Sequence, residues 1–157
     1  MRFVVDCMLG KLAKWLKILG FDTVYFPRAE DDLLIQIARR ERRILLSRDL
    51  KLLARADKSR SLYVASEAWR EQVRQVIQAF ELESRIKPFS RCLHCNHALR
   101  RLSRQNARNL VSSFVFEKAK RFAFCPRCGR VFWQGTHFED MEAQLAAIFG
   151  FQEGEMG

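Results

Sequence analysis

Apolar positions along the first part of the chain switch between short continuous runs and helical stripes. Phe3-Val4-Val5 reads as a buried strand that ends on Asp6. Leu9, Leu12, Ala13, Leu16 and Leu19 then recur at the spacing of one helix face, with Lys11, Lys14 and Lys17 interleaved, until Gly20 stops the pattern. Thr23–Phe26 predicts a second strand closed by Pro27, and Glu30-Asp31-Asp32 opens a second helix carrying Leu33, Leu34, Ile37 and Ala38. Ile44–Ser47 predicts a third strand, followed by Arg48-Asp49 and a short helix through Leu50, Leu53 and Ala54. Ser61–Ala65 predicts a fourth, after which Ser66 is expected to cap a longer helix with Trp69, Val73, Val76, Ile77 and Phe80 on its apolar face. Strands separated by helices imply parallel pairing, because a short hairpin cannot join parallel neighbours and a helical crossover can. The expected class is α/β, with a central parallel sheet of about four strands flanked by helices.

The alternation breaks at Ser84–Pro88 and never resumes. From Phe89 to about Trp133 the chain is rich in Cys, Arg and Phe, and Phe138–Phe149 predicts an amphipathic helix presenting Met141, Leu145, Ile148 and Phe149. The closing residues from Gly150 to Gly157 are expected to fray. The resulting plan is an α/β domain over 1–86, a cysteine module over 87–137, and a C-terminal helix and tail over 138–157.

Composition adds a partner to this picture. The chain of 157 residues is long enough for one proper core plus a small attachment, and its 28 Lys and Arg against 18 Asp and Glu give a formal charge of +10. That excess, spread along the whole chain, favours a polyanion, with nucleic acid ahead of an anionic membrane. Met1-Arg2 runs straight into the first strand and no apolar run reaches the about 18 residues that a span needs, so a cytoplasmic protein with no membrane partner and no small-molecule cofactor is expected. Five cysteines in a reducing compartment argue against disulfides. Cys7, the odd one, is expected to be a buried, inert thiol.

The other four stand in two CxxC pairs, Cys92-Leu93-His94-Cys95 and Cys125-Pro126-Arg127-Cys128, separated by 29 residues (96–124) and followed in the second case by Gly129. Two thiolates three positions apart grip one tetrahedral ion from a tight turn, and a second such turn closes a shell with no open position. Structural Zn²⁺ is the first expectation, ahead of an iron centre or redox dithiols. The metal would stand in for a hydrophobic core that about 45 residues cannot build. His94, between the first two cysteines, is expected on the outside of its turn, and His97 and His137 have no assigned role. The arginines of this module (Arg91, Arg100, Arg101, Arg104, Arg108, Arg121, Arg127 and Arg130) and its aromatics (Phe122, Phe124, Phe132 and Trp133) suit a surface for phosphates and bases. Packing of the aromatics on the first domain is an equal alternative.

Acids mark the other candidate chemistry. Two strands end on or next to an Asp (Asp6, Asp49), and the second helix begins with Asp31-Asp32. In a parallel sheet these positions fall at the carboxyl end, where ligands bind. Clustered carboxylates repel unless a cation lies among them, and hard Mg²⁺ or Mn²⁺ takes oxygen ligands. Such an ion activates water and neutralises charge on a phosphodiester, so an acidic pocket ringed by Lys11, Lys14 and Arg48 suits a nuclease. A helix-start role is the plain alternative for Asp31 or Asp32.

Several segments together resemble the Mut7-C RNase domain family: Asp6–Leu16, Leu19–Asp22, Arg43–Asp49, Ser90–Asn96, and Cys125-Pro126-x-Cys128-Gly129-Arg130-Val131-Phe132-Trp133-x-Gly135-Thr136-His137. The resemblance covers nearly the whole chain in order. It implies a PIN-like nuclease fold joined to a zinc ribbon and metal-dependent cleavage of RNA, whether tRNA, rRNA or mRNA. It also implies metal binding by Asp6, Asp49 and an acid of the Asp31-Asp32 pair, and zinc ligation by Cys92, Cys95, Cys125 and Cys128. Where the pattern has a fourth acid this chain has Leu50-Lys51-Leu52, which leaves Glu67 as a candidate substitute. Lys11, Lys14, Arg48, Arg91 and Arg127 are the expected RNA contacts. The rival reading is a non-catalytic RNA- or ribosome-binding zinc protein. Phosphoryl transfer through an aspartyl intermediate would want an acid two residues after Asp6, and that position is Met8.

Overall fold

In the computed structural model, which describes residues 1–150, the chain forms two compact units, Met1–Phe89 and a second beginning at Ser90. The first unit is a four-stranded, all-parallel sheet in the order β2-β1-β3-β4. Its strands are β1 (Arg2–Val5), β2 (Asp22–Tyr25), β3 (Ile44–Ser47) and β4 (Ser61–Tyr63). Between them run α1 (Gly10–Ile18), α2 (Asp31–Arg40) and α3 (Leu50–Arg55), and α4 (Trp69–Ala79) follows β4.

β1 is an unbroken apolar run because it is covered on both faces, and Phe3, Val4 and Val5 are fully buried. Val4 and its register partner Leu45 face α2 and α3, packing with Leu34, Ile35, Ile37, Ala38 and Leu52. On the other face the Phe3 ring meets Phe21 edge-on and Phe80, beside the packed pair α1 and α4. At the amino end of the sheet, buried Arg43 ties three segments together. It donates to Asp22 Oδ1 (2.6 Å), Glu41 Oε2 (2.7 Å) and the Phe3 carbonyl (3.2 Å). A guanidinium so enclosed is tolerable because its Nε and Nη1 meet two carboxylates and a backbone carbonyl.

The strand order fixes where a ligand can sit. The chain leaves β1 for β2 on one side and then crosses back over β1 to β3 on the other, so β1 and β3 flank the point where the direction of winding reverses. The crevice beyond their carboxyl ends is the binding position in open α/β sheets. Asp6 follows β1 there, and Arg48-Asp49 follows β3.

Two local expectations need correction. The fourth strand ends at Tyr63, short of Ala65, because the Ala65 N–H leaves the ladder for Gln75 Oε1 (3.1 Å). Ser66 does not cap α4: its hydroxyl accepts from Ala68 N two residues on, and the helix starts at Trp69 after Ala68.

The second unit is a three-stranded antiparallel sheet, β5 (Arg100–Leu102), β6 (Phe122–Phe124) and β7 (Val131–Trp133), in that order. Two short helices, α5 (Arg104–Ala107) and α6 (Ser113–Lys118), lie between β5 and β6, and α7 (Thr136–Phe149) closes the described chain. Ser103 and Ser112 cap α5 and α6, accepting from Asn106 N and Val115 N. The long spacer between the cysteine pairs is thereby explained, since it houses β5, both helices and β6. It also builds a small core of its own, Ala107, Ala119 and Phe122 with Leu102, Val111, Val115 and Phe116, where the sequence suggested that metal alone would replace one. Along α7, Met141, Leu145 and Ile148 are buried and Phe149 is half-buried. The expected fraying tail lies, beyond Gly150, outside the described residues. No helix among the described residues is long and apolar enough to cross a membrane.

Candidate active site and metal centre

The metal centre is built from two matching turns. In the first, Asn96 N–H donates to the Cys92 carbonyl (2.8 Å) and Cys92 N–H to the His97 carbonyl (2.8 Å). In the second, Gly129 N–H donates to the Cys125 carbonyl (2.9 Å) and Cys125 N–H to the Arg130 carbonyl (2.9 Å). The residue after each CxxC takes a left-handed backbone, φ 62° at Asn96 and 72° at Gly129, the conformation that Gly and Asn accept most readily. Gly129 is the residue type such a turn favours; Asn96 is the less evident counterpart, and its signal was its placement directly after the second cysteine of the first pair.

These turns bring the four Sγ atoms within 4.8 Å of one another, with Cys92–Cys128 at 3.6 Å and Cys95–Cys125 at 3.4 Å. A regular tetrahedron with Zn–S bonds of about 2.3 Å has edges of about 3.8 Å, so the cage fits zinc. Burial pushes the Cys92 thiol up to about 12. Burial also opposes ionisation of Cys125, but donation from the Cys128 N–H and the Cys95 thiol outweighs it and lowers Cys125 to about 6. Cys125 is thus ready to give up its proton, whereas a metal must displace the one on Cys92. His94 lies exposed outside the cage, as expected of the outer side of its turn.

The acidic site begins at Asp6, which is 6% exposed. The backbone N–H of Asp6 continues the sheet to the Leu46 carbonyl (3.0 Å), and its side chain makes no local cap. Instead Ser47 Oγ donates to Asp6 Oδ2 (2.6 Å) and accepts from Asp49 N–H (2.8 Å). Asp49 Oδ1 in turn accepts from Lys51 N (2.7 Å) and Leu52 N (3.2 Å), capping α3. Ser47 therefore couples the two strand ends. Sequence reading passed over it, although a Ser closing an otherwise apolar strand two residues before an acid was the available signal.

Asp31 and Asp32 form the first turn of α2, beyond the carboxyl end of β2, where negative charge meets the positive end of the helix dipole. Both carboxylates are turned to Arg55 at the end of α3, Asp31 at 3.5 Å and Asp32 closer. All four acids lie at the carboxyl end of the sheet, joined in two pairs, one through Ser47 and one through Arg55. Among the described residues, the four cysteines are the only set of three or more His, Cys, Asp or Glu side chains arranged to hold a metal ion.

Around Asp6 the surroundings are specific. Cys7 is exposed, contrary to the buried thiol expected, because the chain leaves the sheet edge after β1 in a turn of 3-10 helix over Cys7–Leu9. Its thiol is hydrogen-bonded to Asp6, which together with partial desolvation and the Asp6 charge holds its pKa above the ordinary range, so it is a poor thiolate nucleophile at neutral pH. Tyr25 Oη donates to the Cys7 carbonyl (3.0 Å), and its pKa is raised by burial first and then by Cys7 and Asp6. Gly10 makes room for this hydroxyl, since a Cβ there would lie 2.7 Å from Tyr25 Oη.

The expected basic contacts divide. Lys11 and Lys14 are exposed on α1. Arg48 is held by Glu67, the candidate fourth acid, at 3.2 Å; Glu67 is otherwise solvent-facing. Arg127 is exposed beside the metal cage, whereas Arg91 donates to the Asn96 carbonyl (2.7 Å) and braces the first turn. Arg104 likewise serves the module's interior, donating to the Ala119 (2.9 Å) and Phe116 (2.7 Å) carbonyls and lying over the Phe116 ring.

Compared with known proteins, residues 1–145 match the family model described as the Mut7-C RNAse domain. No curated protein and no solved structure matches the chain.

Proposed function

This chain belongs to the Mut7-C RNAse domain family, and from that premise we propose that it is a divalent-metal-dependent ribonuclease that hydrolyses phosphodiester bonds of RNA. The zinc ribbon stabilises the second unit and contributes RNA contacts, and the working compartment is the cytoplasm. The observation that carries this reading is the carboxylate of Asp6. It is buried at the β1–β3 switch point, does no capping, and is oriented by a hydroxyl that also holds the next strand end. A mere turn former at this position would have no reason to bury its carboxylate against the end of another strand, 41 residues away.

The donor set there is all oxygen, which suits Mg²⁺ or Mn²⁺ over softer ions. Asp6 and Asp49 are the residues that would hold the ion, with Asp31 or Asp32 completing the set on release from Arg55. A divalent ion so bound supplies an activated water and neutralises charge on the phosphate. The chain's own contribution is orientation. Ser47 fixes the Asp6 carboxylate, Lys11 and Lys14 attract the RNA backbone, and Arg48, steadied by Glu67, stands beside the acids as a phosphate contact.

The test compares wild type and Asp6→Asn at equal zinc content on structured RNA with Mg²⁺ or Mn²⁺. Wild type is expected to cleave and the variant to lose at least about a hundredfold in rate. Equal rates for the two would remove Asp6 from the chemistry. One observation favours a second reading, a non-catalytic RNA-binding protein: Asp31, Asp32 and Asp49 already have an arginine or backbone N–H groups as partners. RNA binding without cleavage by wild type in either metal would select it.

A further inference from the structure

Trp15 and Trp69 stack face to face, with ring centroids 4.6 Å apart and planes 11° from parallel. Trp15 is 6% exposed and belongs to the core, whereas Trp69, the first residue of α4, stays partly open to solvent. Two cations gather on the outer ring: Arg70 Cζ lies 4.5 Å and Lys11 Nζ 5.9 Å from its centroid. Trp69 is reached from the carboxyl end of β4 and Lys11 from that of β1, so the column stands at the same end of the sheet as Asp6, Ser47 and Asp49. The same end exposes two more large side chains, Met8 at 71% and Tyr63 at 41%.

A tryptophan pair that served only to clamp α1 to α4 would gain most by burying both rings. Here the inner ring is buried, while the outer one stays partly exposed and carries cations over its ring. We propose that Trp69, backed by Trp15, is a stacking subsite for one nucleobase of the RNA strand whose phosphate lies at Asp6. The base takes the place of the Arg70 guanidinium on the Trp69 ring, since base–aromatic stacking outweighs an exposed cation–π contact, and Arg70 and Lys11 then meet the adjoining phosphates. Trp15 keeps the platform rigid, so little order has to be imposed on binding.

This inference rests on the nuclease reading for its substrate, and its test is a binding measurement that needs no cleavage. Full-length, zinc-loaded Asp6→Asn protein is titrated with a labelled short oligouridylate and with an abasic ribose-phosphate strand of equal length. The strand with bases is expected to bind at least about fivefold more tightly. Adding Trp69→Ala should abolish that preference while leaving the abasic strand's affinity unchanged. Because loss of the outer ring could loosen α1 from α4, a second measurement keeps Trp69 in place. An oligonucleotide carrying 5-iodouracil is irradiated on the Asp6→Asn protein, and the crosslinked peptide is expected to contain Trp69. Equal affinity for the two strands, or crosslinks confined to other peptides, would overturn the subsite. Failure of the nuclease reading looks different: wild type would not cleave with Mg²⁺ or Mn²⁺, yet the base preference and the Trp69 crosslink would stand.

Discussion

Asp6 and Asp49 both follow strands of the same sheet, yet their oxygens are used differently. Asp49 caps a helix as any Asp in that position could, whereas Asp6 takes a hydrogen bond from another strand's end. The residue that joins them is Ser47, and Ser47→Ala separates two consequences. Removing its hydroxyl leaves a buried carboxylate and the Asp49 N–H short of a partner, which is expected to cost about 1–2 kcal/mol of stability by denaturant unfolding. If Asp6 holds an ion, loss of its orienting partner should also weaken Mn²⁺ binding about tenfold to a hundredfold by calorimetry. At the opposite end of the sheet, Arg43 gives a pH-dependent effect. Its hydrogen bond is the main reason that the Glu41 carboxyl is held below its ordinary range, assisted by Arg40 and Arg2. A lowered carboxylate stabilises the fold above its unfolded pKa, about 4.3, and that contribution disappears as pH falls through the lower folded value. Glu41→Gln is therefore expected to lose about 1 kcal/mol at pH 7, with the two proteins converging in strong acid.

At the scale of elements, the first unit was legible because each of its signals spans several residues. Continuous apolar runs gave β1 and β3, helical stripes gave α1, α2 and α4, and the alternation gave parallel pairing. The second unit hid its strands. β5, β6 and β7 are three residues each, too short to establish a period, and in β5 two of the three are arginines. Only the cysteine spacing announced a structure there, and it located the cage without the sheet and helices that fill the spacer. The acids show the same division: their place at the carboxyl end followed from topology, but their pairing did not. Ser47 and Arg55 act from 41 and from 23 or 24 residues away, and no local pattern encodes such contacts. The cage itself supports a prediction about protons. With the Cys92 thiol raised by burial to about 12, a metal must displace a proton that neutral solution does not remove. Zinc uptake at pH 7 is expected to release protons, so that its calorimetric enthalpy varies with the buffer's ionisation enthalpy, and affinity should fall as pH is lowered. Chelating the metal, or Cys125→Ser, should open residues 90–133 to proteolysis and hydrogen exchange while the first unit keeps its protection.

For the whole molecule the decisive property is where the charge of +10 resides. Both units are basic, but between Ser90 and Trp133 ten Lys and Arg stand against one acid, Glu117. Not all of these face outward for a ligand, since Arg91 and Arg104 are engaged with carbonyls of their own module. Arg100, Arg101 and Arg121 are exposed on or beside the antiparallel sheet, where β5 and β6 pair. If these three contact RNA phosphates, they contribute to the number of counterions displaced, and each contact adds about 0.7 to the slope of log affinity against log salt for a single strand. Four phosphate contacts in all would give a slope near −3 and about a fiftyfold loss of affinity over a fourfold rise in salt. The measurement uses the Asp6→Asn protein, so that RNA stays intact during titration. Replacing Arg100, Arg101 and Arg121 together with Gln is expected to flatten the slope by about 2, with zinc content unchanged. An unaltered slope would mean that the ribbon's exposed arginines stand clear of the phosphates and that the first unit binds the strand alone. A flattened slope combined with an intact base preference would divide the work between the units, phosphates held by the ribbon and a base read at the sheet edge.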